Sequence, residues 1–483
     1  MGTSGVSNLQ GAGRRRERRG LIFDWYQIWY QSGNDPDEHG SHPGTAASHQ
    51  TIVAICISCM HTLYTYLMRI LLTEGAGLTS RQVSTRLDHL GHDVSAAVSD
   101  PLCLARFTRH IRTLHRVPDF GPAPLVWFDG VLDVAARAHI DVIFPTQEQV
   151  TVLSHQLPRL LGAGLATAVP PFAALEQVQD KLSALRTLAR LEVPQPRSVV
   201  VQDPSEAADW NSFPAYVKAP VGTGSAGVRR VTDTAGLAEA VRHFVAAGAC
   251  SDGGVLVQEA LTGTFVMAQC VFDTGSLVAF HANERVQEGA NGSAAAKASV
   301  DAPGLRAELA RLGEALAWHG ALSVDAIVVD ARAYVIDVNP RLVEPGNALA
   351  AGTDMVSALL AVAMGTPVVV SSLSRAGVRT HQFLMALLGA AQRTGRRRSV
   401  LAEIVRRIRR RGVYAHSTEE LLPWRGDRRT SILPLAAALA TVIRPALWRT
   451  FTEGAVSRYA LTAQGWRQLR EVAPLSAAAT ASA

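Results

Sequence analysis

Residues 323–355 read SVDAIVVDARAYVIDVNPRLVEPGNALAAGTDM, and the fold is decided here. Val324 to Val329 and Tyr334 to Val338 are β-rich runs on either side of Asp330 to Ala333, which predicts an antiparallel hairpin. Folding about Ala331 sets Asp325 opposite Asp337. Directly opposed side chains have Cβ atoms about 5 Å apart, and like charges there are destabilising unless a cation lies between them. Asn339, two residues on, shares the face of Asp337. Two carboxylates and an amide oxygen are hard donors suited to Mg²⁺, which in turn bridges nucleotide phosphates. Arg341, beyond Pro340, can point its fork at a phosphate or a carboxylate. A solvated hairpin with scattered acids is the bland alternative, and it leaves the NPR segment at the strand end unexplained.

Upstream, residues 214–231 read PAYVKAPVGTGSAGVRRV. Lys218 ends a strand, Gly222, Gly224 and Gly227 leave backbone amides uncovered, and Ser225 adds a hydroxyl. Unshielded N–H groups and one ammonium can neutralise phosphate oxygens. In GVLVQEAL, Val255 to Val257 form a strand with Gln258 and Glu259 at its end, a hinge that can meet an adenine edge while the carboxylate accepts ribose hydroxyls. Phe265 to Phe272 and Leu277 to His281 follow as a hairpin turning at Asp273-Thr274-Gly275. Residues 281–297, HANERVQEGANGSAAAK, place a Gly/Ala/Ser segment between Arg285 and Lys297, both candidate catalytic residues. It reads equally well as a mobile loop closing over an acyl acceptor and as an ordinary exposed loop.

Before these motifs the pattern is strand and helix in alternation. Ile70 to Thr73, a Gly-containing turn, a helix from Ser80 to Leu90 and a strand from Val94 to Val98 make a βαβ opening of a parallel sheet. Leu125 to Phe128 and Asp141 to Pro145 are expected strands, and Gly130 to Ala138, Gln147 to Leu161 and Asp180 to Leu191 expected helices. The turn EGAGLTS lacks the third spaced glycine of a dinucleotide fingerprint, so a tight strand-to-helix turn is preferred. Residues 1–67 are expected to be a disordered or dispensable extension, with a signal anchor at residues 51–67 or a regulatory tail as alternatives.

Composition narrows the class. At 483 residues, with 48% hydrophobic and 18% charged residues, the chain is long enough for several cores without disulfide or metal staples. Three of the five cysteines stand alone, and the one CxxC, Cys56 and Cys59, has no second pair to complete a zinc site, which fits a reducing cytoplasm. The net charge of +6 comes from two clusters, +4 at residues 14–19 and +7 at residues 396–411, on a remainder of −5. Short basic clusters without interleaved aromatics argue against a nucleic-acid groove.

In order and rough spacing, Lys181, the Lys218 loop, Gln258-Glu259 and the hairpin ending IDVNPR resemble the ATP-grasp superfamily, the group of carbamoyl phosphate synthetase, biotin carboxylase and D-alanine ligase. The resemblance covers roughly residues 68–370. It implies an α/β architecture: a parallel-sheet pre-ATP-grasp domain at 68–160, a two-lobed α+β ATP-grasp domain at 161–370 and a helical basic C-terminal region at 371–483. It also implies roles. Lys181 and Lys218 would hold ATP phosphates, Glu259 the ribose and Gln258 the adenine hinge; Asp325, Asp337 and Asn339 would bind Mg²⁺, with Mn²⁺ as a substitute; Arg341 would stabilise the transferred phosphoryl group. Position 337 is Asp where the family usually has Glu. The implied reaction activates a carboxylate as an acylphosphate for attack by an amine, releasing ADP and phosphate. A biotin-carboxylase-like or carbamoyl-phosphate-forming enzyme, or an inactive ATP-binding scaffold, is the alternative.

Beyond the motifs, Thr380 to Ala391 and Leu401 to Arg411 are expected helices. The second carries paired arginines around Ile404, Val405 and Ile408, and its narrow apolar stripe favours packing on the catalytic domain over an anionic membrane surface. Leu435 to Ile443 is apolar but too short to span a bilayer.

Overall fold

The computed structural model describes residues 67–222, 227–369, 374–421 and 427–474. The expected extension and anchor, apart from residue 67, lie outside the described residues.

Strands β1 (Arg69–Leu72), β2 (Asp93–Val98), β3 (Thr113–Arg116) and β4 (Val142–Phe144) form a parallel sheet in the order β3-β2-β1-β4. Alternation along β1 splits its burial. Ile70 and Leu72 join Val83 and Leu87 of α1 (Leu78–His89), while Leu71 joins Trp127, Phe128 and Val131 of α2 (Pro124–Ala138). Fully burying each of these side chains contributes about 1.5–3 kcal/mol. The expected strand at Leu125 to Phe128 is instead the first turn of α2. Pro124 sits at its start, and the buried Trp127, Phe128, Val131, Val134 and Ala135 recur at helical spacing. The expected helix from Gln147 to Leu161 is two short helices, Val150–His155 and Leu157–Gly162, with Pro158 starting the second.

Helix α3 (Lys181–Arg190), its N-terminus capped by Asp180, leads into a four-stranded antiparallel lobe. Its strands β5 (Ser198–Val201), β6 (Ala215–Lys218), β7 (Val228–Val231) and β8 (Val255–Glu259) run in the order β5-β8-β6-β7, and α4 (Thr234–Ala246) covers one face.

The larger lobe is a seven-stranded sheet ordered β13-β12-β9-β10-β11-β14-β15. It comprises β9 (Thr264–Asp273), β10 (Ser276–Glu288), β11 (Ala294–Val300), β12 (Gly320–Val329), β13 (Arg332–Asn339), β14 (Arg379–His381) and β15 (Thr418–Glu419). One face is apolar. Val266, Ala268, Cys270 and Phe272 of β9 pack with Leu322, Val324 and Ala326 of β12 against Leu305, Leu309 and Leu312 of α5 (Pro303–Ala315). A Cβ at Gly313 of α5 would overlap the Phe272 ring, so helix and sheet approach this closely only with glycine there. The alternate residues, Gln269, His281, Asn283, Arg285, Lys297, Ser323, Asp325, Asp337 and Asn339, stand on the other face, because directly paired residues share a side.

Residues 281–297 correct the expected loop. They are strand, turn and strand, with Arg285 paired to Lys297 and the turn confined to Ala290–Gly292. After α6 (Met355–Ala363), the C-terminal region is largely helical, with α7 (Phe383–Thr394), α8 (Arg397–Ile408) and α9 (Ile432–Ile443), and it also adds β14 and β15 to the sheet. No helix among the described residues is long and apolar enough to cross a membrane.

Candidate active site

The hairpin pairs Asp325 with Asp337 and Ser323 with Asn339. The turn is tighter than expected: Asp330 and Ala331 both have positive φ, 47° and 64°, as a two-residue hairpin turn needs. Such a turn alone would set Asp325 against Ile336. A bulge between positions 325 and 326 absorbs one residue of β13 and brings the two aspartates together.

The bulge also ties the lobes to each other. Lys218, at the end of β6, is buried and donates from Nζ to the Ile336 carbonyl at 2.8 Å and to Gln258 Oε1 at 2.7 Å. Burial pushes its ammonium down to about 8, while Asp337 and Asp325 support the charge and Lys181 opposes it. The Gln258 amide donates to Ser198 Oγ at 3.2 Å, so this side chain braces Lys218. Glu259 accepts from Ser212 Oγ at 3.0 Å. Lys181 donates to the Gly222 carbonyl at 3.2 Å, and Gly222 and Gly227 approach each other at the stem of the glycine loop. Gly224 and Ser225 lie outside the described residues.

Lys181, Gly222, Asp337, Asn339 and Arg341 line one cleft, together with Glu148. Burial and the Asp337 charge push Asp325 up to about 7, against Arg341, Lys218 and Arg285. Arg341 Nη2 donates to Asn339 Oδ1 at 3.4 Å. Arg285 stacks 4.3 Å from the Phe265 ring centre and donates to the Gly292 carbonyl at 2.7 Å. Among the described residues no three His, Cys, Asp or Glu side chains converge as a metal cluster. Two opposed carboxylates and one amide oxygen instead fit Mg²⁺, a cation that keeps several waters and takes the rest of its shell from phosphates.

Lys297 stands apart from this cleft. It is 4% exposed and contacts Glu344 Oε2 at 2.6 Å and Glu420 Oε2 at 3.3 Å. Burial opposes its charge, but the two carboxylates hold the ammonium above the usual lysine range. Gln382 donates to both carboxylates and Gln82 of α1 to Glu420 at 3.1 Å. Around this net-negative group, the buried oxygens Gln269 Oε1, Asn283 Oδ1, Gln382 Oε1 and Glu420 Oε1 accept no hydrogen bond. Lys297 is legible in the sequence and its partners are not, because Glu344, Gln382 and Glu420 are brought together only by β14, β15 and the loop after β13.

The first turn of the parallel sheet is self-filled. Glu74 accepts from the N–H groups of Ala76 at 2.6 Å and Gly77 at 2.7 Å and from Ser80 Oγ, occupying the place where a helix N-terminus would take a phosphate.

Residues 178–345 match the family model of the ATP-grasp domain. Among solved structures, the chain is similar to the biotin carboxylase domain of 2-oxoglutarate carboxylase from Hydrogenobacter thermophilus, a complex with MgADP, ADP and bicarbonate. That likeness has 16% identity over 65% of this chain and 74% of the other, with a TM-score of 0.53. It is similar to biotin carboxylase from Campylobacter jejuni in a β-γ-ATP complex, at 16% identity over 65% and 75% of the two chains, TM-score 0.52. A third likeness is to the ADP complex of N5-carboxyaminoimidazole ribonucleotide synthetase, at 14% identity over 69% and 86%, TM-score 0.53. At such identities the likenesses establish a shared fold.

Proposed function

Because residues 178–345 are an ATP-grasp domain, we propose that the chain is an ADP-forming carboxylate–amine ligase. The observation that carries this reading is the in-register pair Asp325 and Asp337, with Lys218 bonded to the adjoining Ile336 carbonyl and Asp337 lining one cleft with Lys181 and Arg341. Lys181, Lys218 and the glycine loop bind the ATP phosphates, and Glu259 takes the ribose. Asp325, Asp337 and Asn339 would hold Mg²⁺, which would supply positive charge against the nucleotide phosphates.

The substrate carboxylate oxygen bonds to the γ-phosphorus as the bond to the β-phosphate oxygen breaks, and ADP departs. The amine then attacks the acyl carbon, phosphate leaves, and the nitrogen gives up its surplus proton. Arg341 supports the negative charge gathered on the transferring group, and closure against water preserves the acylphosphate.

An amine acceptor is supported by the cluster at Lys297. Two carboxylates against one ammonium, ringed by oxygens without donors, suit an incoming N–H donor and not a second anion. Glu420→Gln is therefore expected to raise KM for the amine about tenfold, close to 1.4 kcal/mol, with KM for ATP unchanged. Steady-state kinetics with each substrate varied in turn would reveal an ATP effect instead, if the cluster served the nucleotide.

The activation step is tested by trapping. Enzyme, Mg-ATP, hydroxylamine and a panel of amino acids, small acids and bicarbonate are expected to yield a hydroxamate and ADP. A productive acid that yields AMP and pyrophosphate would overturn the acylphosphate route.

A further inference from the structure

Helix α9, ILPLAAALATVI, contains no charged residue. Pro434, Ala437, Ala438 and Thr441 face inward. Ile432, Leu435, Leu439 and Ile443 recur three and four residues apart on the opposite face, where they are 54%, 44%, 63% and 58% exposed. A helix apolar on both sides has its outer face unpaired in water. Its neighbour α8, packed beside it and α7, buries Val400 and Glu403 and leaves Leu401, Val405 and Ile408 exposed. Each of the two packed helices thus carries an exposed apolar stripe of its own.

Between Arg393 and Arg449 the exposed charge has one sign. Arg397, Arg398, Arg406 and Arg409 are exposed on or next to α8, and Arg428, Arg429, Arg444 and Arg449 are exposed beyond the two ends of α9. The acidic residues between Arg393 and Arg449 are Glu403, Glu419, Glu420 and Asp427, and each is engaged inward: Glu403 with Tyr414 and Arg406, Glu419 with the Phe383 and Leu421 N–H groups, Glu420 with Lys297, and Asp427 with Thr108.

We infer that α8 and α9 form a docking surface for an anionic membrane. The aliphatic side chains of α9 enter the boundary between headgroups and acyl chains, and the arginine forks bind lipid phosphates. A helix of 12 residues is about 18 Å long, too short to cross and suited to lying in the surface plane. A second copy is disfavoured as the occupant, since a two-fold contact would set one arginine collar against another.

The test is sedimentation of the full chain with vesicles of phosphatidylcholine alone or with about one-third phosphatidylglycerol, at low and high salt. Binding is expected to the anionic vesicles only and to weaken with salt. The Arg398→Gln, Arg409→Gln double variant is expected to lose about fivefold per arginine, and the Leu435→Ser, Leu439→Ser variant at least about tenfold. Both variants should keep wild-type Mg-ATP affinity, which reports that they fold. The inference is overturned if the full chain ignores anionic vesicles, or if the leucine variant binds them as the wild type does. It is also overturned if the leucine substitutions convert a dimer to a monomer with no vesicle binding in either form.

Discussion

Asp337→Asn is expected to weaken Mg-ATP binding about a hundredfold, close to 3 kcal/mol, the scale of losing a charged partner at a buried contact. The same substitution should leave the nucleotide-free protein as stable as the wild type or slightly more so. Asp325 and Asp337 face each other across the ladder, and removing one charge removes a repulsion that Lys218 and Arg341 offset only in part without a bound cation. The opposite signs of the two effects separate this site from a structural carboxylate pair, where binding and stability would fall together. Calorimetric titration with Mg-ATP and a thermal melt without it measure both. Unchanged affinity would remove the aspartates from the metal site, and a large fall in melting temperature would assign them to the scaffold.

The register of that pair was legible because side-chain alternation fixes which residues can share a face. The route to it was not. A wider turn was expected, and the observed turn with a bulge reaches the same pairing while freeing the Ile336 carbonyl for Lys218. Two misreadings have identifiable causes. Leu125 to Phe128 is a short apolar run that periodicity alone cannot assign, and only the continuation to Val131, Val134 and Ala135 makes it helical. Residues 294–298 are mostly alanine, a weak strand former, yet they pair because α7 packs closely over them, with Gly289 and Gly389 in contact where any side chain would collide.

The Lys297 cluster illustrates a different limit. Its residues are spread from Gln82 to Glu420, and each is unremarkable in its own stretch of sequence. Motifs that carry chemistry within ten or twenty residues can be read locally. A buried ion pair whose members come from three separate regions is set by the topology of the sheet, here by the addition of β14 and β15 to its far edge.

Arg341→Ala should lower kcat by about 10² to 10³, or about 2.7–4 kcal/mol of transition-state stabilisation, the range for removing one preorganised donor from a developing negative charge. ATP affinity should change far less. The Arg341 backbone is held on both sides, its carbonyl accepting from Ser323 Oγ at 2.8 Å and its N–H donating to the Asn339 carbonyl at 2.7 Å, while the guanidinium reaches Asn339 Oδ1 at 3.4 Å and has Glu74 within electrostatic reach. A guanidinium beside the transferring group acts while the phosphoryl passes from the ATP bridge oxygen to the substrate oxygen and charge builds on the departing ADP, which is where differential binding becomes rate. Arg341→Lys tests the geometry separately from the charge. An ammonium is a point charge without the planar fork, so it should recover only part of the rate. Single-turnover ADP formation alongside equilibrium ATP binding distinguishes the outcomes. Equal losses in rate and ATP affinity would make Arg341 a nucleotide-binding residue, and full turnover in Arg341→Ala would take it out of the mechanism.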